Sequence, residues 1–419
     1  MSFLSISLAS PKEKYSAAYC LGFPKRFSIF SIVRLPCEQN QIKNNESKLN
    51  NNDYSAKEFA FSNESLPIYN KNNETIGQIN HYGSLIQTND SIVYTKIPTD
   101  KVNSITEIDY YRYMLDTKQD IKLGTINNWA QQSTESVCLD EHLYLLITTG
   151  EVSDEQNRTV KLLDIDLKNN SIKVVLSEEG GFPYNSMVGV EDKLFIAKVL
   201  SNGSCIEEYN IKTNKTQTLI KFDFNDKTTV GETIRQISAD ENTIALMMLV
   251  KEDADSVKLR VDVYDHNLNY IKSVDVTDIS SEPNELRQGI SNFQYSNGLF
   301  YYENFSSTRF LGEISNNQIL KTIETNETFA MALETENNKT KLFYQSFSPN
   351  NNYLYLWNMR DKTLLKTEFY ADNTKYYIIN MTRSSNDDCL ITMYYRSNSS
   401  GEKLTPRLYY VNLADLKFE

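Results

Sequence analysis

A short phrase recurs about every fifty residues along most of this 419-residue chain. A polar turn bearing Asp or Asn is followed at once by apolar residues of strand type. It reads Asn89-Asp90-Ser91-Ile92, Asp140-Glu141-His142-Leu143, Glu191-Asp192-Lys193-Leu194 and Asp240-Glu241-Asn242-Thr243-Ile244. It returns as Asn297-Gly298-Leu299, as Asn337-Asn338-Lys339 ahead of Leu342, and as Asp387-Asp388-Cys389-Leu390. The leading apolar residues are separated by 51, 51, 50, 55, 43 and 48 positions. A period of that length, built from strand-like pieces, marks a β-propeller with one four-stranded sheet per repeat. A second phrase keeps step with the first: a third strand, a turn rich in Asn or Asp, and a fourth strand. Lys168-Asn169-Asn170-Ser171 is the clearest of these turns.

The fold class expected is therefore all-β, a propeller of seven four-stranded blades, with six and eight as neighbouring parses. The repeats fall at 75–127, 128–180, 181–233, 234–289, 290–329, 330–374 and 375–419. A chain of this length exceeds the roughly 250–300 residues that one compact core supports. A propeller avoids that limit because each blade packs only on its neighbours. With 14 Gly and 9 Pro, most turns must be made by Asn, Asp and Ser. The last repeat ends close to the final residue, with a short strand expected near Leu416-Lys417-Phe418. Closure of the ring then needs a strand from the other end, and Lys57-Glu58-Phe59-Ala60-Phe61 is the candidate.

Residues 1–53 do not follow the repeat and read as a leader. Lys25-Arg26 precede the apolar run Phe27 to Val33, and Cys37 and an Asn-rich tract up to Asp53 follow. This order resembles a lipoprotein signal with a polar tether, although Arg34 breaks the run and Leu35-Pro36 stand where small residues are wanted. Cys37 is the candidate lipid anchor. Residues 54–419 form the propeller. No other segment approaches the roughly 20 apolar residues that a membrane-spanning helix needs.

Net charge is −12, and no cluster of Lys and Arg forms the basic stripe that a phosphate backbone requires, which disfavours nucleic acid. The five cysteines show no CxxC spacing. His81, His142 and His266 fall in different repeats and are expected in solvated or packing roles. No GxSxG elbow and no Gly-rich phosphate loop occurs, so no cofactor is expected. The acidic run Glu252-Asp253-Ala254-Asp255 lacks the glycine and distal Glu of a calcium loop.

The blade rhythm, over roughly 75–419, resembles the bacterial TolB-like and lipoprotein propellers. That resemblance implies a propeller at the cell surface or in an extracytoplasmic space, with a cytoplasmic platform as the alternative. The residue types enriched at binding hot spots fall, by this parse, in the loops at one mouth of the channel: Trp129, Phe182, Tyr184, Arg235, Arg287, Arg309, Tyr376 and Arg396. The function expected is non-catalytic: a binding or scaffold module for a protein, peptide or glycan. The alternative is a metal-dependent enzyme, lactonase- or lyase-like, with its site in the channel. Sugar-lactone hydrolysing propellers hold their metal with Glu, Asn and Asp, a set the sequence does not match. Acidic or amide oxygens converging in the channel would favour the enzyme.

Overall fold

The computed structural model describes residues 64–81, 85–96, 107–127, 135–149, 159–179, 186–200, 203–223, 231–251, 257–276, 290–296, 298–304, 309–314, 318–323, 328–336, 339–346, 353–358, 363–368, 376–383, 388–395, 407–412, 415–417 and 419. The expected leader, with Cys37, and the acidic run at 252–255 lie outside these residues.

Among the described residues, 29 strands form seven sheets. The first two strands, β1 (Glu64–Tyr69) and β2 (Thr75–His81), form a hairpin. Blade one follows as β3 (Leu85–Gln87), β4 (Ser91–Lys96), β5 (Glu107–Met114) and β6 (Asp120–Asn127). Blade two holds β7 (Glu135–Leu139), β8 (His142–Thr149), β9 (Thr159–Asp166) and β10 (Ser171–Glu179). Blade three holds β11 (Ser186–Val190), β12 (Lys193–Leu200), β13 (Gly203–Asn210) and β14 (Lys215–Asp223). Blade four holds β15 (Gly231–Ala239), β16 (Thr243–Lys251), β17 (Val257–Asp265) and β18 (Tyr270–Asp275). Blade five holds β19 (Ile290–Ser296), β20 (Leu299–Asn304), β21 (Arg309–Glu313) and β22 (Gln318–Ile323). Blade six holds β23 (Thr328–Glu336), β24 (Lys339–Ser346), β25 (Tyr353–Asn358) and β26 (Thr363–Glu368). The last blade has β27 (Tyr376–Arg383), β28 (Asp388–Tyr395) and β29 (Arg407–Asn412). Within each blade neighbouring strands are antiparallel and consecutive in sequence. The first strands of successive blades touch one another from β7 round to β27, and β27 meets β3. Blades one and two meet through β6 and β10 and a shared core. The first strands therefore line the axis.

The second strands explain why this chain builds blades. Leu143, Leu145 and Ile147 of β8 are buried against blade one. The intervening Tyr144 and Leu146 are buried against blade three. β16 repeats the arrangement, with Ile244, Leu246 and Met248 against blade three and Ala245, Met247 and Leu249 against blade five. Successive side chains of a strand point to opposite faces, so a strand sandwiched between two blades must be apolar at every position. This is why each repeat carries an unbroken apolar run. Each fully buried Leu or Ile contributes about 1.5–3 kcal/mol.

The repeated Asp/Asn phrase is the turn between first and second strands. Asp140 and Glu191 stand there in the left-handed region, with φ of 51° and 52°, a conformation that Asp and Asn tolerate better than most residues. Asp240 acts differently: its Oδ1 accepts bonds from Asn242 N at 2.9 Å, Thr243 N at 2.8 Å and Thr243 Oγ1 at 2.9 Å.

Buried charges are matched within and between blades. Arg112 of β5, Asp164 of β9 and Glu208 of β13 occupy equivalent positions, opposite Val93, Tyr144 and Phe195. Arg112 Nε donates to Ser91 Oγ at 2.7 Å and Nη2 to Asp90 at 3.0 Å. Its Nη1 crosses to the turn of blade two, donating to Leu167 O and, at 2.9 Å, to Asn170 Oδ1. Lys198, buried in β12, lies between Glu178 of blade two and Glu207.

The expected closure is corrected in its details. Residues 415–417 form no strand, and Lys57 to Phe61 lie outside the described residues. The strand that completes the last blade is β1, paired parallel with β29 at Ile68–Leu408 and Tyr69–Tyr409. β2 adds a fifth strand outside it. Thr75–His81 thus belongs to the last blade and not to the first repeat. The seam is held by Tyr69 stacked on Tyr409 at 5.4 Å, by Arg407 over the Tyr69 ring at 5.1 Å, and by Tyr409 Oη donating to Asn73 Oδ1 at 2.7 Å. Leu66, Ile68 and Ile79 of the hairpin share one core with Ile92, Tyr94 and Tyr113 of blade one and Leu408 of the last blade.

Candidate functional site

The channel wall opens into a cavity of about 160 Å³ bounded by the first strands of blades two to five. It is lined by Glu135 of β7, Ser186, Met187 and Val188 of β11, Gln236 to Ala239 of β15, and Phe293 and Gln294 of β19. Glu135 is the one ionisable residue among these lining residues.

Two β-bulges frame it. The register of β15 slips between Ile234 and Gln236, and that of β19 between Ser291 and Gln294. Both Ile234 and Ile237 are buried in the core shared with blade three. In a regular strand, residues three apart face opposite ways. The extra residue at the bulge restores both to the core and re-aims what lies between them. Ile234 N donates to Ser204 Oγ of blade three at 2.8 Å, which pins the bulge.

The two cavity serines are tied to backbone. Ser186 Oγ accepts from Ile237 N at 3.3 Å and donates to Ile237 O at 3.5 Å, and Ser238 Oγ accepts from Tyr295 N at 2.9 Å. These bonds knit β11 to β15 and β15 to β19. Neither hydroxyl is set against a histidine. His142 Nδ1 lies 2.7 Å from Asp164 Oδ1, and Lys173 lies 3.1 Å from the other oxygen of that carboxylate. His266 Nε2 lies 3.1 Å from Asp240 O. The geometry of a Ser–His acyl-transfer pair is therefore not formed by these residues. Cys138 and Cys205 are free thiols, and burial pushes both up from their ordinary pKa.

Among the described residues, no three His, Cys, Asp or Glu side chains gather as a metal site. The cavity instead offers one carboxylate (Glu135), two amide groups (Gln236 and Gln294) and the two serine hydroxyls. Oxygen donors of that kind suit a hard cation such as Ca²⁺, Mg²⁺ or Mn²⁺.

Of the residues expected at the channel mouth, Arg235 is half-buried in β15 at its bulge, between Ile234 and the cavity residue Gln236. Arg309 opens β21 and Tyr376 opens β27. Both are strand residues rather than loop residues. Trp129, Phe182, Tyr184, Arg287 and Arg396 lie outside the described residues, as does Cys37. Sequence reasoning passed over Glu135, Gln236 and Gln294 because it looked for specificity in loops. A signal was present: each is a polar residue within a segment otherwise patterned as an innermost strand.

No family model matches the chain, and no curated protein does. Solved structures similar to it include a prolyl endopeptidase, with a TM-score of 0.48, 11% identity, and coverage of 85% of this chain and 51% of that one. An acylaminoacyl peptidase of Pyrococcus horikoshii gives 0.43, 11%, 81% and 58%. An oligogalacturonate lyase in complex with manganese gives 0.46, 10%, 85% and 85%. The chain spans somewhat more than half the length of the two peptidases. All three of these proteins are enzymes, whereas the sequence led to the expectation of a non-catalytic scaffold module.

Proposed function

We propose that this propeller is a metal-assisted enzyme of the lactonase or lyase kind, with its site in the channel cavity. The observation that carries the proposal is the donor set there: the Glu135 carboxylate with the Gln236 and Gln294 amides on one concave wall. A hard cation held by those oxygens would supply Lewis-acid polarisation of a carbonyl or carboxyl group. The chain's own residues do the rest. Glu135 would hold the ion through its negative charge, and the Gln236 and Gln294 amide oxygens would be neutral ligands beside it. Phe293 gives an apolar wall, and Ser186 and Ser238 are tethered to backbone beside it. The rhythm shared with TolB-like lipoprotein propellers, together with Cys37, supports an extracytoplasmic location as part of the same reading. Among the described residues no helix is long and apolar enough to cross a membrane.

The test is metal binding by the purified protein. Elemental analysis should find a divalent ion, and EDTA should lower the melting temperature. A ligand present at a hundred times its Kd stabilises the fold by about 2.7 kcal/mol. Glu135→Gln keeps the side-chain volume and removes the charge, so the response to Ca²⁺ or Mn²⁺ should collapse in that variant. An identical metal response in the wild-type protein and in Glu135→Gln would refute the reading.

A further inference from the structure

We infer that the blades guard their free edges against pairing with another chain, and that the guard is one extra residue set into the outermost strand. A sheet that ends in a free strand presents a row of backbone N–H and C=O groups, which templates association. Among the described residues seven strands stand outermost in their sheets: β6, β10, β14, β18, β22, β26 and, in the last blade, β2. Six of the seven slip by one residue against the strand inside them. The extra residues are Ile76 of β2, Leu123 of β6, Val175 of β10, Leu219 of β14, Ile271 of β18 and Thr322 of β22. Each such bulge breaks the ladder, bends the strand and sharpens its twist. An incoming strand then meets a matching row of groups on one side of the bulge only.

The placement of the bulges follows the hazard. β10 and β14 are the longest of the seven, with nine residues each. Their bulges sit at the middle, between 171–174 and 176–179 in β10 and between 215–218 and 220–223 in β14. Both strands also expose apolar side chains there: Val174 is 45% exposed and Leu219 37%. A long, exposed, apolar edge is the kind that aggregates. On β18 the extra residue is itself exposed, Ile271 at 48%. β26 pairs without a slip and has six residues, and short edges need less protection. Lysine is the charge most used on free edges. Exposed lysines stand on β6 (Lys122) and β10 (Lys173), anchored to the buried carboxylates of Asp109 and Asp164 at 2.8 and 3.1 Å. Pairing inside the blade does not need the extra residue. Without Leu219, the pairs Thr218–Glu207 and Ile220–Ile206 would be consecutive rungs of a regular ladder.

Deleting Leu219 from the full chain tests the inference, with Leu219→Ser as the control that loses the exposed side chain and keeps the bulge. Analytical ultracentrifugation over a range of concentrations should show the deletion variant forming larger species where the wild-type protein and Leu219→Ser sediment alike. Circular dichroism should show its strand content unchanged. Hydrogen exchange read by mass spectrometry should find 215–223 more protected in the associated form, which puts the contact on the β14 edge. A folded deletion variant that associates no more than the wild-type protein overturns the proposal. So does equal association by Leu219→Ser, or association without added protection at 215–223. Should the chain lacking Leu219 fail to fold, deletion of Val175 decides by the same measurements. If that chain also fails to fold, the bulges serve the folding of the blade itself and the proposal is overturned.

Discussion

A chain that begins at residue 82, and so lacks the β1–β2 hairpin, is expected to lose its cooperative melt and to associate more than the longer chain does. The hairpin contributes Leu66, Ile68 and Ile79, which are 0%, 0% and 1% exposed. At about 1.5–3 kcal/mol each, these three side chains approach the net stability of about 5–15 kcal/mol typical of a folded protein. Their removal also uncovers Ile92, Tyr94, Tyr113 and Leu408, all buried in the same core. It frees the edge of β29, whose unpaired backbone groups invite pairing with another chain. Light scattering coupled to gel filtration checks the outcome, with a chain starting at residue 62 as reference. A monomer with an unchanged melting temperature would show that the hairpin is an ornament and not part of the ring.

Arg112→Met should destabilise the protein by about 2–4 kcal/mol, because it leaves buried acceptors without their donor. Arg112 is 5% exposed and ties Ser91 and Asp90 of its own blade to Leu167 O and Asn170 of the next. Met keeps much of the volume, so the loss reads the polar contacts more than packing. The pH dependence gives a second signature. Burial pushes the Asp90 carboxyl up, but its bonds to Arg112, Ser91 and Thr88 outweigh that and hold it below the ordinary carboxylate value. A carboxylate with a lowered folded-state pKa adds stability above its unfolded pKa, about 4, and loses it as pH falls through the folded value. The wild-type protein should therefore lose more stability than Arg112→Met between pH 5 and the acid limb. Parallel acid-unfolding curves for the two proteins would contradict the assigned role of this pair.

Much of the architecture is legible in the sequence, for a physical reason. A second strand pressed between two blades must be apolar on both faces, and the turn before it needs Asp or Asn, so turn and run recur together at Asp140 to Leu143 and at Asp240 to Ile244. The closing strand was not legible. β1 pairs with β29 across more than 300 residues of sequence separation, and its register, Ile68 to Leu408, leaves no local pattern. The cavity was hidden for a related reason. A bulge is one extra residue in one strand, visible only against its partner. Gln236 and Gln294 look like ordinary strand positions until the slips beside Ile234 and Ser291 are seen. Arg235 was picked out by residue type alone, and it stands on strand β15 at the bulge rather than in a loop.

The closed ring is the claim on which the channel and its cavity depend, and one cross-link tests it. Tyr69 and Tyr409 are register partners with stacked rings. A Tyr69→Cys, Tyr409→Cys variant, oxidised under native conditions and digested, should yield a disulfide-linked peptide pair from within a single monomeric chain, as judged by mass spectrometry. Failure of that link to form, or its appearance only between two chains, would show that the ring is not closed in this way.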